Sequence, residues 1–256
     1  MTWEQHLSIG VSLFVATAVS LTAFLARALS PSGASAAALV GTAVLAGTGW
    51  AGGLALGSFF LGSTLVSRII SDPSVDRFDA KGTRRDAGQV LANGGPAAIG
   101  ALLGSPGMVV ASLAAAAADT WATSLGATSS RPPRLITTGR SVPAGTSGAL
   151  SWPGTCGALL GAASVGALSA FAFRSAGLFP LSLALGLGGM LLDSFLGARI
   201  QARFSCPACR VQCERPVHRC GTAAVQVYGW RWCTNDVVNL LATTGAGVVG
   251  ALLYHS

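Results

Sequence analysis

Three of the nine acidic residues, Asp119, Asp193 and Asp236, lie inside or at the mouth of long apolar stretches. The other six sit in polar loops or near the N-terminus. A carboxylate at membrane depth loses its hydration, so such a group marks an ion site, a proton relay or a pairing with a basic residue. Basic loops accompany all three. In one, Asp79, Lys81, Arg84, Arg85 and Asp86 run into Gln89 and Asn93 at the start of a helix. Ammonium, guanidinium forks and helix-terminal N–H groups together make an anion site. Topology-setting charge alone also explains this loop, but it explains less well the Asn93-Gly94-Gly95-Pro96 run cut into an apolar segment.

A second constellation begins with Ala118-Asp119-Thr120-Trp121. It continues through Pro133-Arg134-Leu135-Ile136-Thr137-Thr138 and Val142-Pro143-Ala144-Gly145-Thr146-Ser147-Gly148. Small hydroxyl residues and glycines before a helix let backbone N–H groups crowd against an anion, although no Walker motif is present. A tight turn capped by Thr and Ser is the plainer alternative. Carboxylates facing basic loops suggest Mg²⁺ bridging carboxylate and phosphate oxygens, with Asp119, Asp193 and Asp236 as its ligands. Proton or Na⁺ transport is the rival explanation, and Asp–Arg pairs that only hold helices together are a third.

A third constellation is rich in sulfur: Cys206-x2-Cys209, then Cys213, His218, Cys220 and Cys233. Cys206, Cys209, His218 and Cys220 have spacings that supply four tetrahedral zinc ligands, enough to clip a short loop. Free thiols or a redox pair are the alternative, and a cytosolic position argues against structural disulfides. Cys156 falls in an apolar run, where a small buried residue is expected.

The elements that must position these groups follow from composition. Of 256 residues, 51% are apolar and 10% charged, and mean hydropathy is +0.60. A soluble helical protein this apolar would interrupt its runs with charge every turn or two. The reading is an all-α, polytopic transmembrane helical bundle of seven or eight spans, a single membrane domain over 1–256 with a Cys/His loop at 200–234 before the last helix. Eight helices can be drawn, at 6–29, 34–50, 52–70, 88–104, 107–127, 149–173, 178–199 and 235–254, with the division near Gly49 to Gly53 the least defined. Glu4 precedes the first run and positive charge follows it, so it reads as a retained span, not a cleaved signal. The lack of a Ser- and Arg-rich transit segment suits a bacterial protein or a chain without its leader.

If the spans alternate sides, fifteen of the sixteen Lys and Arg residues share one face and only Arg174 lies opposite. The positive-inside rule makes that face cytosolic (stromal in a plastid). At ~1.5 Å per residue Asp119 then lies about 12 Å below the basic face and Asp193 about 9 Å below it. Asp236 opens the last helix, with Asn239 a turn deeper, so the three carboxylates approach one level. The net charge of +7 is spread over several loops without a helix-turn-helix or stacking aromatics, which points to lipid headgroups or phosphorylated ligands and away from nucleic acid. Pro31, Gly33 and Ser35 recur as Pro143, Gly145 and Ser147, an internal echo that favours no function by itself.

Taken together, KGTRRDAGQVLANG (81–94), ADTWATSLG (118–126), PRLITTGRSVPAGTSG (133–148), DSFLGARIQ (193–201), HRCG (218–221) and WRWCTNDVVNLL (230–241) resemble one integral membrane family. It contains transmembrane protein 19 of animals and the phytyl-phosphate kinases of plants and cyanobacteria. The matches run in order through most of the chain after residue 80, and the cysteine loop is similar to the bacterial and plastid branch. The resemblance implies a kinase that adds a second phosphate to an isoprenoid monophosphate such as phytyl phosphate, with a CTP-like nucleoside triphosphate as donor, for tocopherol and related lipids. Lys81, Arg84, Arg85 and Arg134 would then neutralise the triphosphate, and Thr137, Thr138, Gly145 and Thr146 would cradle its oxygens. Asn93, Asn235 and Asn239 complete the nucleotide-binding set. One departure stands out: the family usually has Glu where this chain has Ser124. A membrane transporter or non-catalytic membrane protein is the alternative within the same family.

Overall fold

The computed structural model describes residues 7–70, 84–218 and 220–254. These hold seven helices: α1 (Ile9–Leu25), α2 (Pro31–Ile69), α3 (Ala87–Leu102), α4 (Pro106–Gly126), α5 (Trp152–Ala172), α6 (Leu178–Arg199) and α7 (Asn235–Leu253). Their starts are written in the sequence. Ser30, Ser105 and Ser151 each accept a hydrogen bond from the N–H three residues on, and each is followed within two residues by proline. A hydroxyl cap satisfies one orphan donor, and proline at the first turn lacks an N–H to satisfy. At the other end, Arg27 and Arg174 adopt positive φ. There Ala28 N bonds Ala23 O and Ser175 N bonds Ala170 O, which closes α1 and α5 with a left-handed turn.

The 39 residues of α2 would reach about 58 Å if straight. They do not. Ser30 N, at the entrance of α2, donates to Arg85 O at 3.0 Å, while Arg85 Nη1 donates to Thr64 Oγ1, near the helix exit, at 3.3 Å. Both ends therefore meet residue 85. The reversal occurs at Gly49, with φ 61° and ψ −153°, a backbone region open to glycine and strained for any other residue. The expected helices 34–50 and 52–70 thus exist as two arms of one bent element, joined at a single residue and without a loop. At the bend, Trp50, Ala51 and Leu54 border a shallow groove with Phe171, Ala172 and Arg174, so Arg174 lies at the end of the bundle away from residue 85.

Helix α4 is the axis, buried from Pro106 through Ala118. Helices α5, α6 and α7 press glycine faces against it. A Cβ added at Gly157 would stand 2.6 Å from Trp121 O, one at Gly161 2.7 Å from Ala117 O, and one at Gly186 3.2 Å from Ala114 O. Small residues three or four apart let backbones approach, which is how helices gain dispersion contact where lipid removes the hydrophobic drive. Large apolar side chains face outward instead, among them Phe14, Leu25, Leu39 and Phe171. By length and composition α2, α4, α5, α6 and α7 can each cross a membrane; α1, with 17 residues, and α3, with 16, are shorter. Cys156, expected to be buried, is exposed on the outer surface of α5, because the inward positions of that turn are taken by Gly154 and Gly157.

The all-α expectation needs one amendment. The loops carry short strands: β1 (Arg134–Leu135) pairs with β2 (Ala149–Leu150), and β3 (Arg203–Cys206) lies between β4 (Val211–Cys213) and β5 (Val225–Tyr228) in an antiparallel sheet. The sheet has its own small core of Ala202, Phe204 and Cys213.

Candidate functional site

A cavity of about 510 Å³ opens at the end of the bundle where α3 and α7 begin and α4 and α6 finish. That volume is in the range of small-molecule sites. Asp119 and Asp193 both line it, with Arg85, Gln89, Asn93, Gly145, Thr146, Asn235 and Asn239. Asp193 Oδ2 is shut away from solvent and has no hydrogen-bond partner among the described residues. An ionised oxygen left so is costly unless a cation or a proton meets it, which fits the donor chemistry of a hard divalent ion.

Local structure explains which groups converge. Arg85 pairs its backbone with Ala28 and Ser30, and its guanidinium lies 5.8 and 5.5 Å from the ring centroids of Phe59 and Phe60. Stacking and the bond to Thr64 hold the fork at the cavity wall. Asp86 caps α3 in a reciprocal box with Gln89, and this fixes the start of the helix on which Asn93 stands in the second turn. Asn235 and Asn239, four apart on α7, share one helical face.

Asp236 is the exception among the three carboxylates. It does not line the cavity. One residue beyond Asn235, it is turned about 100° around the helix. Its Oδ2 lies 2.7 Å from where a Cβ on Gly88 would stand, in the first turn of α3. A negative group there faces the positive end of that helix.

Other expected contacts also fall outside the cavity lining. Arg84 is exposed. Arg134 is exposed and its Nη1 donates to Gly139 O at 2.9 Å, while Thr138 Oγ1 accepts from Arg140 N at 3.4 Å. Leu135 N also bonds Arg140 O, so residues 134–140, Thr137 included, close on themselves as a turn. Within the expected phosphate cradle, Thr146 donates from both N and Oγ1 to Pro143 O, so this part of the loop is a capped turn. Lys81 lies outside the described residues.

The cavity also holds residues that the sequence reading passed over: Arg68, Thr64, Ser67, Thr123, Ser194 and Glu214. Thr123 stands four residues after Asp119, a helical spacing that could have revealed it. Arg68 and Glu214 reach the cavity only through the bend of α2 and the fold of the Cys/His loop, which no local pattern encodes. Ser124 lines the cavity too, its Oγ 3.3 Å from Ser67 Oγ.

Above the membrane end of α6, the ligand atoms of Cys206, Cys209, His218 and Cys220 gather within 4.8 Å of one another. Two tight turns present them. Arg210, at φ 56°, follows the first pair, and Gly221, at φ 82°, follows the second. Arg210 N donates to Cys206 O and Gly221 N to His218 O. Cys206 Sγ and Cys220 Sγ are 3.6 Å apart, close to the edge of a tetrahedron with bonds of about 2.3 Å. Hydrogen bonding with Thr222 and His218 brings the Cys220 thiol down to about 5, while hydrogen bonding with Cys220 pushes the Cys209 thiol up to about 11, so a metal would have to displace the proton the two thiols share. Cys213 and Cys233 are buried and stand outside the cluster.

The comparisons with known proteins agree with the reading of a membrane protein. The chain is 30% identical over 260 residues to the "Uncharacterized membrane protein MJ0933" of Methanocaldococcus jannaschii, covering 99% of this chain and 97% of that one. It is 28% identical over 225 residues to "Protein PGR" of Arabidopsis thaliana, covering 74% and 78% respectively. No solved structure matches it. The model of the family "Integral membrane protein DUF92" matches residues 14–247, and the chain therefore belongs to that family of integral membrane proteins.

Proposed function

We propose that this protein is a prenyl-phosphate kinase. It transfers a phosphoryl group from a nucleoside triphosphate, CTP by the resemblance above, to an isoprenoid monophosphate such as phytyl phosphate, giving the diphosphate. The observation that carries the reading is the convergence of Asp119 and Asp193 with Arg85, Arg68 and three asparagines on one cavity at the basic end of the bundle. An oxygen of the acceptor monophosphate attacks the terminal phosphorus of the donor. The bond from that phosphorus to the bridging oxygen breaks, and the nucleoside diphosphate leaves with the electron pair. The acceptor is already anionic at neutral pH, so alignment and charge neutralisation carry the rate, with no strong general base required.

Asp119 and Asp193 are the residues to hold Mg²⁺, which when bound would screen phosphate charge. Arg85 and Arg68 balance the remaining charge on the non-bridging oxygens, and Asn93, Asn235 and Asn239 supply neutral donors and acceptors. The Cys/His cluster is assigned a structural Zn²⁺ that fixes the loop. By the positive-inside rule the cavity opens to the cytosol, and the prenyl tail lies among the glycine- and alanine-rich helices, toward the bilayer.

The test is incubation of purified protein with labelled CTP or ATP and phytyl, geranylgeranyl or farnesyl monophosphate. Label moving to lipid supports the kinase. Protein that binds no nucleoside triphosphate and transfers no label, yet moves an ion across proteoliposomes, supports the transporter reading instead.

A further inference from the structure

Asp236 is turned away from the cavity, yet a third carboxylate is present there: Glu214, the single lining residue among the described residues of the 200–234 loop. We propose that Glu214 is the third carboxylate ligand of a divalent cation held with Asp119 and Asp193, and that the Cys/His module exists to put it there. The proposal rests on reading the cavity as a cation–phosphate site and names a ligand and a means of control that the reading does not contain.

Glu214 directly follows Cys213, the last residue of β4, which pairs with Phe204 of β3 in the core of the small sheet. Its carboxylate is oriented from the membrane side by Gln201, 1% exposed at the foot of α6. Gln201 Nε2 donates to Glu214 Oε1 at 2.8 Å, and Ser147 Oγ donates to Gln201 Oε1 at 2.9 Å. With its carbonyl oxygen fixed by Ser147, the amide presents only its NH₂ to Glu214. On the other flank Arg215 Nη2 lies 3.8 Å from Asp86 Oδ2, the cap of α3. The module is thus seated on α3, α6 and the 143–148 loop at once.

Asp119, Asp193 and Glu214 line the same cavity, and the buried Oδ2 of Asp193 has no hydrogen-bond partner among the described residues. Three carboxylates lining one cavity repel unless a cation or protons intervene. An all-oxygen set of this kind suits Mg²⁺ or Mn²⁺, whereas the sulfur and imidazole set of the module suits Zn²⁺. Donor chemistry alone would sort the two metals between the sites.

Mn²⁺ titration of the full-length, detergent-solubilised protein, followed by electron paramagnetic resonance with zinc content measured in parallel, tests this. Glu214→Gln should weaken Mn²⁺ binding at unchanged zinc content. Gln201→Ala, a positioning change, should weaken it about tenfold, the effect of losing an outer partner. Glu214→Asp should retain more affinity than Glu214→Gln, and removing zinc with a zinc-selective chelator, washed out before Mn²⁺ is added, should weaken Mn²⁺ binding as Glu214→Gln does. Unchanged Mn²⁺ affinity in Glu214→Gln, with affinity lost in Asp193→Asn, overturns the role of Glu214 and leaves the cavity reading standing. Unchanged affinity in Asp119→Asn, Asp193→Asn and Glu214→Gln alike overturns both. Equal loss in Glu214→Asp and Glu214→Gln, or full Mn²⁺ affinity without zinc, overturns the assignment of Glu214 or its delivery by the module respectively.

Discussion

Cys206 Sγ stands 3.6 Å from Cys220 Sγ, and His218 Nδ1 is 3.1 Å from the same Cys220 sulfur. The sulfur–sulfur separation is near the edge of a tetrahedron around one ion and well beyond the about 2.05 Å of a disulfide. Purified protein is expected to contain one zinc per chain by elemental analysis. Cys206→Ser and Cys220→Ser should lose it, and Cys213→Ala and Cys233→Ala should keep it. Protons compete with zinc for the same thiolates, so zinc should stay bound at neutral pH and leave as the solution is acidified. Retention of zinc in Cys220→Ser would contradict the ligand set.

Asp119 and Asp193 should behave unlike Asp236. If the cavity is the reaction site, Asp119→Asn and Asp193→Asn each lower phosphoryl transfer by about 100-fold or more, the scale for removing one electrostatic stabiliser of a transition state. Asp236→Asn, which removes the charge facing the first turn of α3, should cost up to about 1 kcal/mol of thermal stability, with a smaller loss of turnover. Thermal melts and initial rates on the same preparations check this; equal activity loss in all three would restore Asp236 to the site.

Arg85 and Arg134 make a second contrasting pair. Arg85→Ala should weaken nucleotide binding by about 2 kcal/mol, the scale of a charge-assisted hydrogen bond, while Arg134→Ala leaves it unchanged. Arg85→Lys should recover little, since an ammonium neither stacks on Phe59 and Phe60 nor offers a fork. A fluorescent nucleotide titration measures all three.

Close helix contact predicts opposite outcomes for two glycines. Gly161→Ala places a methyl 2.7 Å from Ala117 O and should destabilise by about 1–3 kcal/mol through overpacking. Gly188→Ala meets nothing within 4 Å and should be neutral or stabilise by up to ~1 kcal/mol through helix propensity. Melting of the detergent-solubilised variants distinguishes them.

The helical membrane architecture was legible in the sequence because it rests on local quantities: uninterrupted apolar runs, Ser-Pro starts and the placement of arginines between them. The Cys/His cluster was legible for the same reason, since two turns each carry two of its four residues within a few positions. Depth was legible as well, because counting residues along a helix gave Asp119 and Asp193 a common level.

Direction around a helix was harder. Asp236 and Asn235 are neighbours in sequence at the same depth, yet a rotation of about 100° sends one to α3 and the other to the cavity. Only packing against neighbours settles that rotation, and the weakly amphipathic, glycine-rich spans of this chain do little to announce which face turns inward. Glu214 and Arg68 entered the site for a related reason. Each is polar, sits in or beside a loop and has no local signature; the folding of α2 at Gly49 and the seating of the Cys/His sheet on α3 and α6 put them beside residues more than fifty or twenty positions away. Composition and spacing determined that carboxylates would lie beneath a basic surface, whereas the tertiary structure decided which carboxylates meet, because convergence depends on long-range contacts that no stretch of the chain contains.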